Sequence, residues 1–320
     1  MLPGTRPSRP SVSGCRYGTG ARVQGRLWDH PGAGAGHPVP ELRCHVRETP
    51  AMAGQPKTPR RHPSAGNVSA RPTLVSEEGV PAALPPASFP HGHEPSLPSI
   101  RLGPDLDDAA LAKLLGPLEG ARILDLGCGY GSASVAMASA GARVTAVDSS
   151  NARLARAREA AERAEVRVEF HHSDLADLAF VRADSIDAVL AAYSLSQVQD
   201  LSRVFRQLHR VLKPEAPVVL SVPHPMSLML EWDPEEQASP WLARTAWSDA
   251  AIAWRVAGDE GATHVHQVSE LFTSLQRSNF AVDTLLEPAA EEPAQPSPHR
   301  SRLGEWVPAT LVMRARKQGI

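Results

Sequence analysis

From Ile100 onward the chain alternates between short, nearly unbroken apolar runs and longer stretches whose apolar residues recur three and four positions apart. Runs of the first kind predict strands covered on both faces, and the second kind predicts helices packed against them. Asp107 and Asp108 open a short helix over Ala109 to Leu115, ended by Gly116-Pro117. The predicted strands are Arg122 to Leu126, Arg143 to Val147, Val166 to Phe170, Ser185 to Ala192 and Pro217 to Val222. Between them fall an alanine-rich helix from a Ser132 cap to about Ala140, a helix Ala152 to Ala164 capped by Ser150, and a helix Leu201 to Leu212 capped by Asp200. Leu154, Ala157 and Ala161 share one face of the second, and Val204, Leu208, Val211 and Leu212 one face of the third. Strands separated by helices in this rhythm mean an α/β domain with a mostly parallel, doubly wound sheet and helices on both faces.

The last part of the chain reads differently. Ser269 to Ser278 predicts a helix, and Phe280 to Leu286 and Val307 to Ala315 predict two strands with no helix between them, hence a hairpin at the sheet edge. Between the fifth strand and this tail, Pro225 to Thr263 shows no sustained period but holds Trp232, Trp241, Trp247 and Trp254. Such an insert, at about 225–263, is expected either to wall or cover a pocket or to use its tryptophans as packing anchors. Residues 1–98 are rich in Pro, Gly, Ser and Arg without apolar periodicity. Such a segment buries too little to offset chain entropy, so a disordered extension is expected ahead of a domain spanning 99–320. Met52 is an alternative start for the chain; a cleaved targeting peptide is disfavoured, because the Pro and Gly residues would break its amphipathic helix.

Composition narrows the setting. A formal net charge of −2 over 320 residues argues against a dedicated nucleic-acid surface. The cysteines, Cys15, Cys44 and Cys128, are far apart and form neither a disulfide framework nor a zinc pair, which fits a reducing, cytoplasmic setting. Runs of about 18 apolar residues, the length of a membrane span, are absent.

The chemistry concentrates at Ile123-Leu124-Asp125-Leu126-Gly127-Cys128-Gly129-Tyr130-Gly131, where a buried strand runs into three alternate glycines, and at Val144-Thr145-Ala146-Val147-Asp148, a second strand ending in an acid. A glycine loop after one strand and an acid at the tip of the next hold a nucleoside cofactor in an open α/β sheet. A dinucleotide loop places its third glycine three residues after the second, so that a helix N-terminus meets a pyrophosphate. Here that position is Ser132, and the glycine comes one residue early, at Gly131.

With Ser173-Asp174-Leu175 after the third strand, Ser185 to Leu190 on the fourth, and Arg210-Val211-Leu212-Lys213-Pro214 before Val218 to Ser221, the chain resembles the class I S-adenosylmethionine-dependent methyltransferases of the type 11, UbiE/MenG-like group. The resemblance covers about residues 100–320 and implies a Rossmann-like seven-stranded sheet of order 3-2-1-4-5-7-6 with its last strand antiparallel. It departs from the usual pattern at Glu215-Ala216, where a Gly-Gly turn is common. It implies S-adenosylmethionine as cofactor, with S-adenosylhomocysteine as product, held by Asp125, Gly127, Cys128, Gly129, Gly131, Asp148, Ser149, Asp174, Leu175 and Ala191. Asp125 suits the ammonium, Asp148 the ribose hydroxyls, Asp174 the adenine amino group and Leu175 the adenine ring. Each acid keeps a plainer alternative, Asp148 as a helix cap, Asp174 as a turn residue, and Asp187 is expected to be structural; Cys128 is expected to be a small filler rather than a nucleophile.

Catalysis would take place beyond the carboxyl ends of the strands. His224, between two prolines after the fifth strand, is the candidate general base, and Tyr193 after the fourth a candidate contact; a structural histidine and a pocket wall are the alternatives. A metal is not expected: His171 and His172 are adjacent in a strand and point to opposite faces, and His264 and His266 have no evident third ligand. The function expected is methyl transfer to a small-molecule acceptor, with no nucleic-acid partner, since no Asn-Pro-Pro-Tyr-like quartet follows the fourth strand. An NAD(P)-dependent Rossmann oxidoreductase and a non-catalytic S-adenosylmethionine-binding protein are the alternatives. The acceptor and the oligomeric state are not readable from the sequence.

Overall fold

In a computed structural model the residues described are 89, 98–104, 106–232, 238–256, 259–289 and 302–319. The chain divides into two units, Met1–Ser64 and Ala65–Ile320, and every described residue lies in the second. The extension expected over 1–98 falls outside the described residues except for Phe89 and Pro98.

The elements follow in order as α1 (Asp108–Ala112) continued by a 3-10 turn (Lys113–Leu115), β1 (Arg122–Leu126), α2 (Ser132–Ser139), β2 (Arg143–Asp148), α3 (Asn151–Arg163), β3 (Val168–His172), β4 (Ala188–Ala192), a 3-10 turn (Ser194–Gln197), α4 (Leu201–Val211) and β5 (Pro217–Pro223). Then come α5 (Pro225–Met229), β6 (Leu230–Glu231), β7 (Trp241–Leu242), β8 (Ile252–Val256), β9 (Asp259–Thr263), α6 (Val268–Arg277), β10 (Phe280–Leu286), a 3-10 turn (Arg302–Glu305) and β11 (Thr310–Lys317). The main sheet has seven strands in the order β10-β11-β5-β4-β1-β2-β3. The first five strands pair in parallel, while β11 lies antiparallel to both β5 and β10. This is the doubly wound, Rossmann-like arrangement expected, with the reversal of winding between β1 and β4.

Alternation along the strands sorts the core into two layers. Leu124 and Leu126 of β1, Val189 of β4, Leu220 of β5 and Met313 of β11 pack with Val204, Phe205 and Leu208 of α4 and Leu271 and Leu275 of α6. Ile123, Ala146, Leu190, Val219 and Val312 face the other way, onto Met137 of α2, Leu154 of α3 and Leu111 and Leu115 near the start of the domain.

Several boundaries differ from the sequence expectation, each for a local reason. β3 begins at Val168 rather than Val166, because the Val166 N–H returns to Ala161 O at the end of α3 and Glu165 takes a positive φ of 55°. β4 begins at Ala188 rather than Ser185: Ile186 makes only an isolated bridge to Leu212. Asp187 uses its carboxylate to hold the Arg122 N–H, at 2.9 Å, and Lys213. β11 starts at Thr310, three residues later than read, and runs to Lys317. Ser132 does not cap α2; Gly131 occupies that position, and the Ser132 hydroxyl instead accepts the Ser99 N–H at 3.0 Å and donates to Ser99 O at 3.1 Å. The insert, read as lacking period, contains α5 and two small hairpins, β6-β7 and β8-β9.

Candidate functional site

The loop that follows β1 is built by its neighbours. The Gly127 and Cys128 N–H groups both donate to Val147 O, at 2.8 and 2.9 Å, which folds the chain over the end of β2. Gly127 has φ +81°, and a Cβ there would lie 2.2 Å from the Ser194 Cβ. Gly131 has φ +83°, and its Cβ would lie 2.8 Å from that of Ala157 on α3. The close approach that the glycines permit is therefore, at these two positions, approach to protein: the turn after β4 and the body of α3. Gly129 differs in kind, since its N–H donates to Asp148 Oδ2 at 2.9 Å.

Two buried acids face this loop. Asp125 is 2% exposed and accepts from Ser134 Oγ of α2 at 2.5 Å. Burial raises its carboxyl to about 6, the Ser134 hydrogen bond opposes that rise, and the nearby Asp148 charge adds to it. Asp148, also 2% exposed, closes β2. Its Oδ2 takes the Gly129 N–H, and its Oδ1 takes the Ser150 N–H at 2.8 Å and lies 3.4 Å from Arg153 Nη1. Asp148 thus does contact the start of α3, yet the side chain that caps that helix is Ser150. Cys128 is buried among Leu102, Ile123 and Met137. Burial pushes its thiol well above the ordinary range and the two acids push it further, so it stays a protonated filler.

The remaining predicted cofactor residues are placed less directly. Ser149 is exposed, and its carbonyl lies 3.0 Å from His172 Nε2. Asp174 is exposed and accepts the Ala176 N–H at 2.7 Å, closing the turn after β3. That turn is tied to the site through the Ser173 N–H, which donates to Asp148 O at 3.2 Å. Leu175 and Ala191 are buried in the α4-side core, so the Ala191 side chain is packing.

Tyr193 and His224 both sit beyond the carboxyl ends of β4 and β5, and both are committed. Tyr193 is 1% exposed with φ 58°; its hydroxyl lies 2.6 Å from Thr310 Oγ1 and its ring meets Phe89 edge-on at 4.9 Å. Burial raises its phenol above the usual range. His224 is 2% exposed and caps α5: its Nδ1 accepts the Met226 N–H at 3.2 Å, while Nε2 lies 3.0 Å from Glu287 Oε1. A neutral imidazole donating to Glu287 and accepting from Met226 has no lone pair left for a substrate proton.

The four insert tryptophans do not line one wall. Trp254 is buried against Leu228, with Ile252 and Val265 packed on it; Trp232 meets Trp306 edge-on at 5.9 Å; Trp247 is 84% exposed. Among the described residues no group of three or more His, Cys, Asp or Glu is placed to hold a metal. His171 stacks on Phe180 at 4.0 Å, and His266 Nε2 lies 2.8 Å from Val198 O. A concavity of about 1070 Å³ bordered by Arg122, Arg143, Val168 and Arg182 lies at the opposite, amino ends of the strands and is separate from the acids.

Sequence reasoning missed Ser134, Ser194, Arg153, Thr310, Phe89 and Glu287, all of which act on the predicted residues. Only Ser134 carried a signal: its place two residues into a small-residue helix directly after the glycine loop, where it is the buried one of three serines.

A family profile described as a methyltransferase domain matches residues 123–215. The chain is 40% identical over 111 residues to a demethylmenaquinone methyltransferase of Clavibacter sepedonicus, covering 35% of this chain and 44% of that protein. It is 37% identical over 127 residues to a ubiquinone biosynthesis O-methyltransferase of Xanthomonas oryzae pv. oryzae, covering 40% and 52% respectively. The chain thus spans about half the length of the curated relatives it matches. Among solved structures, an S-adenosylmethionine-dependent methyltransferase from Mesorhizobium loti superposes with a TM-score of 0.53 at 25% identity, over 65% of this chain and 96% of that one. The strand order, the glycine loop with its two acids and these matches agree: residues 123–215 are similar to a methyltransferase domain, and the sheet has the fold of the S-adenosylmethionine-dependent methyltransferase it superposes on.

Proposed function

We propose that the protein transfers a methyl group from S-adenosylmethionine to a small-molecule acceptor. The observation that carries this reading is the pairing of Asp125 and Asp148, both buried at the carboxyl ends of adjacent strands on either side of the glycine loop. Two buried carboxylates, one of them 3.4 Å from the Arg153 guanidinium, put negative charge beside a loop spaced for no pyrophosphate. That charge fits a ligand bearing ammonium and sulfonium groups. Asp125 would hold the ammonium, Asp148 the ribose, and the turn at Asp174-Leu175 the adenine; Gly127 to Gly131 would shape the wall between them.

The cofactor supplies a methyl carbon that is already electrophilic, so the protein's tasks are to orient the acceptor, exclude water and deal with one proton. Tyr193 and His224 shape the acceptor side from the loops after β4 and β5. Since both are engaged in hydrogen bonds, the acceptor best suited to this site arrives as a competent nucleophile, such as a phenolate, an enolate carbon or an amine. The names of the relatives make a hydroxylated aromatic or quinol ring the first class to test. A cytoplasmic setting, without nucleic acid as partner, belongs to the same proposal and is supported by three scattered cysteines and near-neutral charge. No helix among the described residues is long and apolar enough to cross a membrane.

Titration calorimetry with S-adenosylmethionine, S-adenosylhomocysteine and NAD tests the cofactor: binding of the first two and not the third is expected. Incubation with S-adenosylmethionine and a metabolite extract, read by mass spectrometry for products gaining one CH₂, tests the reaction. The commitment of Tyr193 and His224 favours a second reading, a binding protein that keeps the cofactor as a ligand. Tight binding with no methylated product from quinols, phenols or amines would select it.

A further inference from the structure

We propose that Ser194 is a positioning residue that couples the two halves of the site: it ties the glycine loop, where the cofactor would rest, to the turn that carries Tyr193 on the acceptor side. The inference rests on the cofactor reading above. Ser194 opens the 3-10 turn after β4 and is 3% exposed. The ladder between β1 and β4 ends at the pair Asp125 and Leu190. The next carbonyl of β1, Leu126 O, accepts the Ser194 hydroxyl. The N–H of that same peptide unit, from Gly127, donates to Val147 O of β2 at 2.8 Å. One peptide plane is thus gripped from both sides of β1, and the glycine loop departs from it at a φ of +81°. The Ser194 methylene also sits where a Gly127 side chain would be, since a Cβ there would lie 2.2 Å from the Ser194 Cβ.

On its other side Ser194 follows Tyr193, whose φ of 58° is sparsely populated for a bulky residue and persists only where the surroundings hold it. The Tyr193 N–H donates to Ser221 O of β5 at 2.8 Å, and the Tyr193 carbonyl accepts the Ser196 hydroxyl. The same turn carries the insert: the His264 N–H donates to Ser196 O at 2.7 Å, and His266 Nε2 lies 2.8 Å from Val198 O. A ligand that stills the Leu126–Gly127 peptide therefore stills its bond to the Ser194 hydroxyl, and with it Tyr193 and the start of the segment after β9. Coupling of this kind is reciprocal, so an acceptor seated against the turn would tighten the cofactor by the same factor. Ser196 offers the contrast, because its hydroxyl bond lies within the turn itself.

The test is amide hydrogen exchange, read by mass spectrometry on peptides covering 193–198, with and without saturating S-adenosylhomocysteine. Wild type, Ser194→Ala and Ser196→Ala are compared, with calorimetry to confirm that each binds the ligand. In wild type the ligand is expected to slow exchange of the turn about fivefold or more. In Ser194→Ala, which keeps the Cβ and loses only the hydroxyl, the slowing should shrink to less than about twofold while the ligand still binds. Ser196→Ala should exchange faster in both states and keep the ratio between them within about twofold of wild type. No slowing in wild type with the ligand bound overturns the proposal. So does full slowing in Ser194→Ala, which would mean that the ligand covers the turn directly, or equal loss of the ratio in Ser196→Ala, which would mean general loosening of the turn. If Ser194→Ala does not fold, Ser194→Cys, which keeps the volume with a weak donor, is scored on the same criteria. A wild-type protein that binds no S-adenosylhomocysteine by calorimetry instead removes the cofactor reading, and this inference with it.

Discussion

At the scale of single residues, Asp125 carries stability and binding in opposite directions. Its carboxyl is raised by burial from 3.8 to about 6. A raised carboxyl favours the native state fully below its unfolded value, and that contribution is lost as pH rises through about 6. Two units correspond to about 3 kcal/mol. Asp125→Asn keeps an oxygen for the Ser134 hydroxyl and removes the ionisation. It should therefore be more stable than wild type by about 1–3 kcal/mol at pH near 8, with the gap closing toward pH near 4. Urea unfolding at the two pH values measures this, and S-adenosylmethionine binding should weaken in the same variant. Gly127 poses a different problem. A Cβ meets Ser194 and the left-handed φ penalises any L side chain by about 1–2 kcal/mol. Gly127→Ala should unfold at clearly lower urea, and Ser194→Gly added to it should restore the share due to the clash but leave the share due to φ.

At the scale of elements, the strands that the sequence placed well are those whose residues are buried on both faces. β1 and β2 are mostly buried after their opening arginines and β5 is buried throughout, so pattern and structure agree within a residue. Boundaries failed where a side chain or turn, rather than the apolar pattern, set them: Asp187 gripping Arg122, Glu165 in a left-handed turn, Ser132 taken by Ser99. The strand of the β8-β9 hairpin is marked by the alternation Ile252, Trp254, Val256, too short a run to stand out in an insert without sustained period. The positions of Asp125 and Asp148 were legible because both lie at or next to the carboxyl end of a strand. The engagement of His224 was not, because Glu287 lies 63 residues away. That engagement separates two roles. His224→Asn can still cap α5 and should keep stability close to wild type, whereas His224→Ala should lose about 1 kcal/mol with the cap. If His224 serves as cap and anchor, turnover on whichever acceptor the extract supplies should survive in Asn; a general-base role predicts loss in both variants.

At the scale of the whole molecule, the segment leading into the domain packs against the turn after β4, the start of β11 and the first turn of α2. Phe89 is 2% exposed against Tyr193, and the Arg101 guanidinium lies 5.5 Å from the centre of its ring. Leu102 is 1% exposed in the α2-side core, and a Cβ on Gly103 would lie 2.4 Å from Thr310 Oγ1, the partner of the Tyr193 hydroxyl. Ser99 is tied through Ser132 to the first turn of α2. These contacts join the glycine-loop side, the turn after β4 and the start of β11, the three places between which cofactor and acceptor would meet. Shortening the chain in two steps separates their weight from that of the residues upstream. Removal of residues 1–64, which lack the apolar periodicity of a packed segment, should leave the melting temperature and cofactor affinity as they are. Removal of residues 1–97 also deletes Phe89, exposes Tyr193 and vacates space equivalent to a buried phenylalanine, a change worth about 3–5 kcal/mol. Thermal unfolding of the two shortened chains and of Phe89→Ala in the full chain should rank the last two together and well below the first. Equal melting of all three would mean that the Tyr193 pocket is closed by its own elements, and the contribution of Phe89 to the site would have to be abandoned.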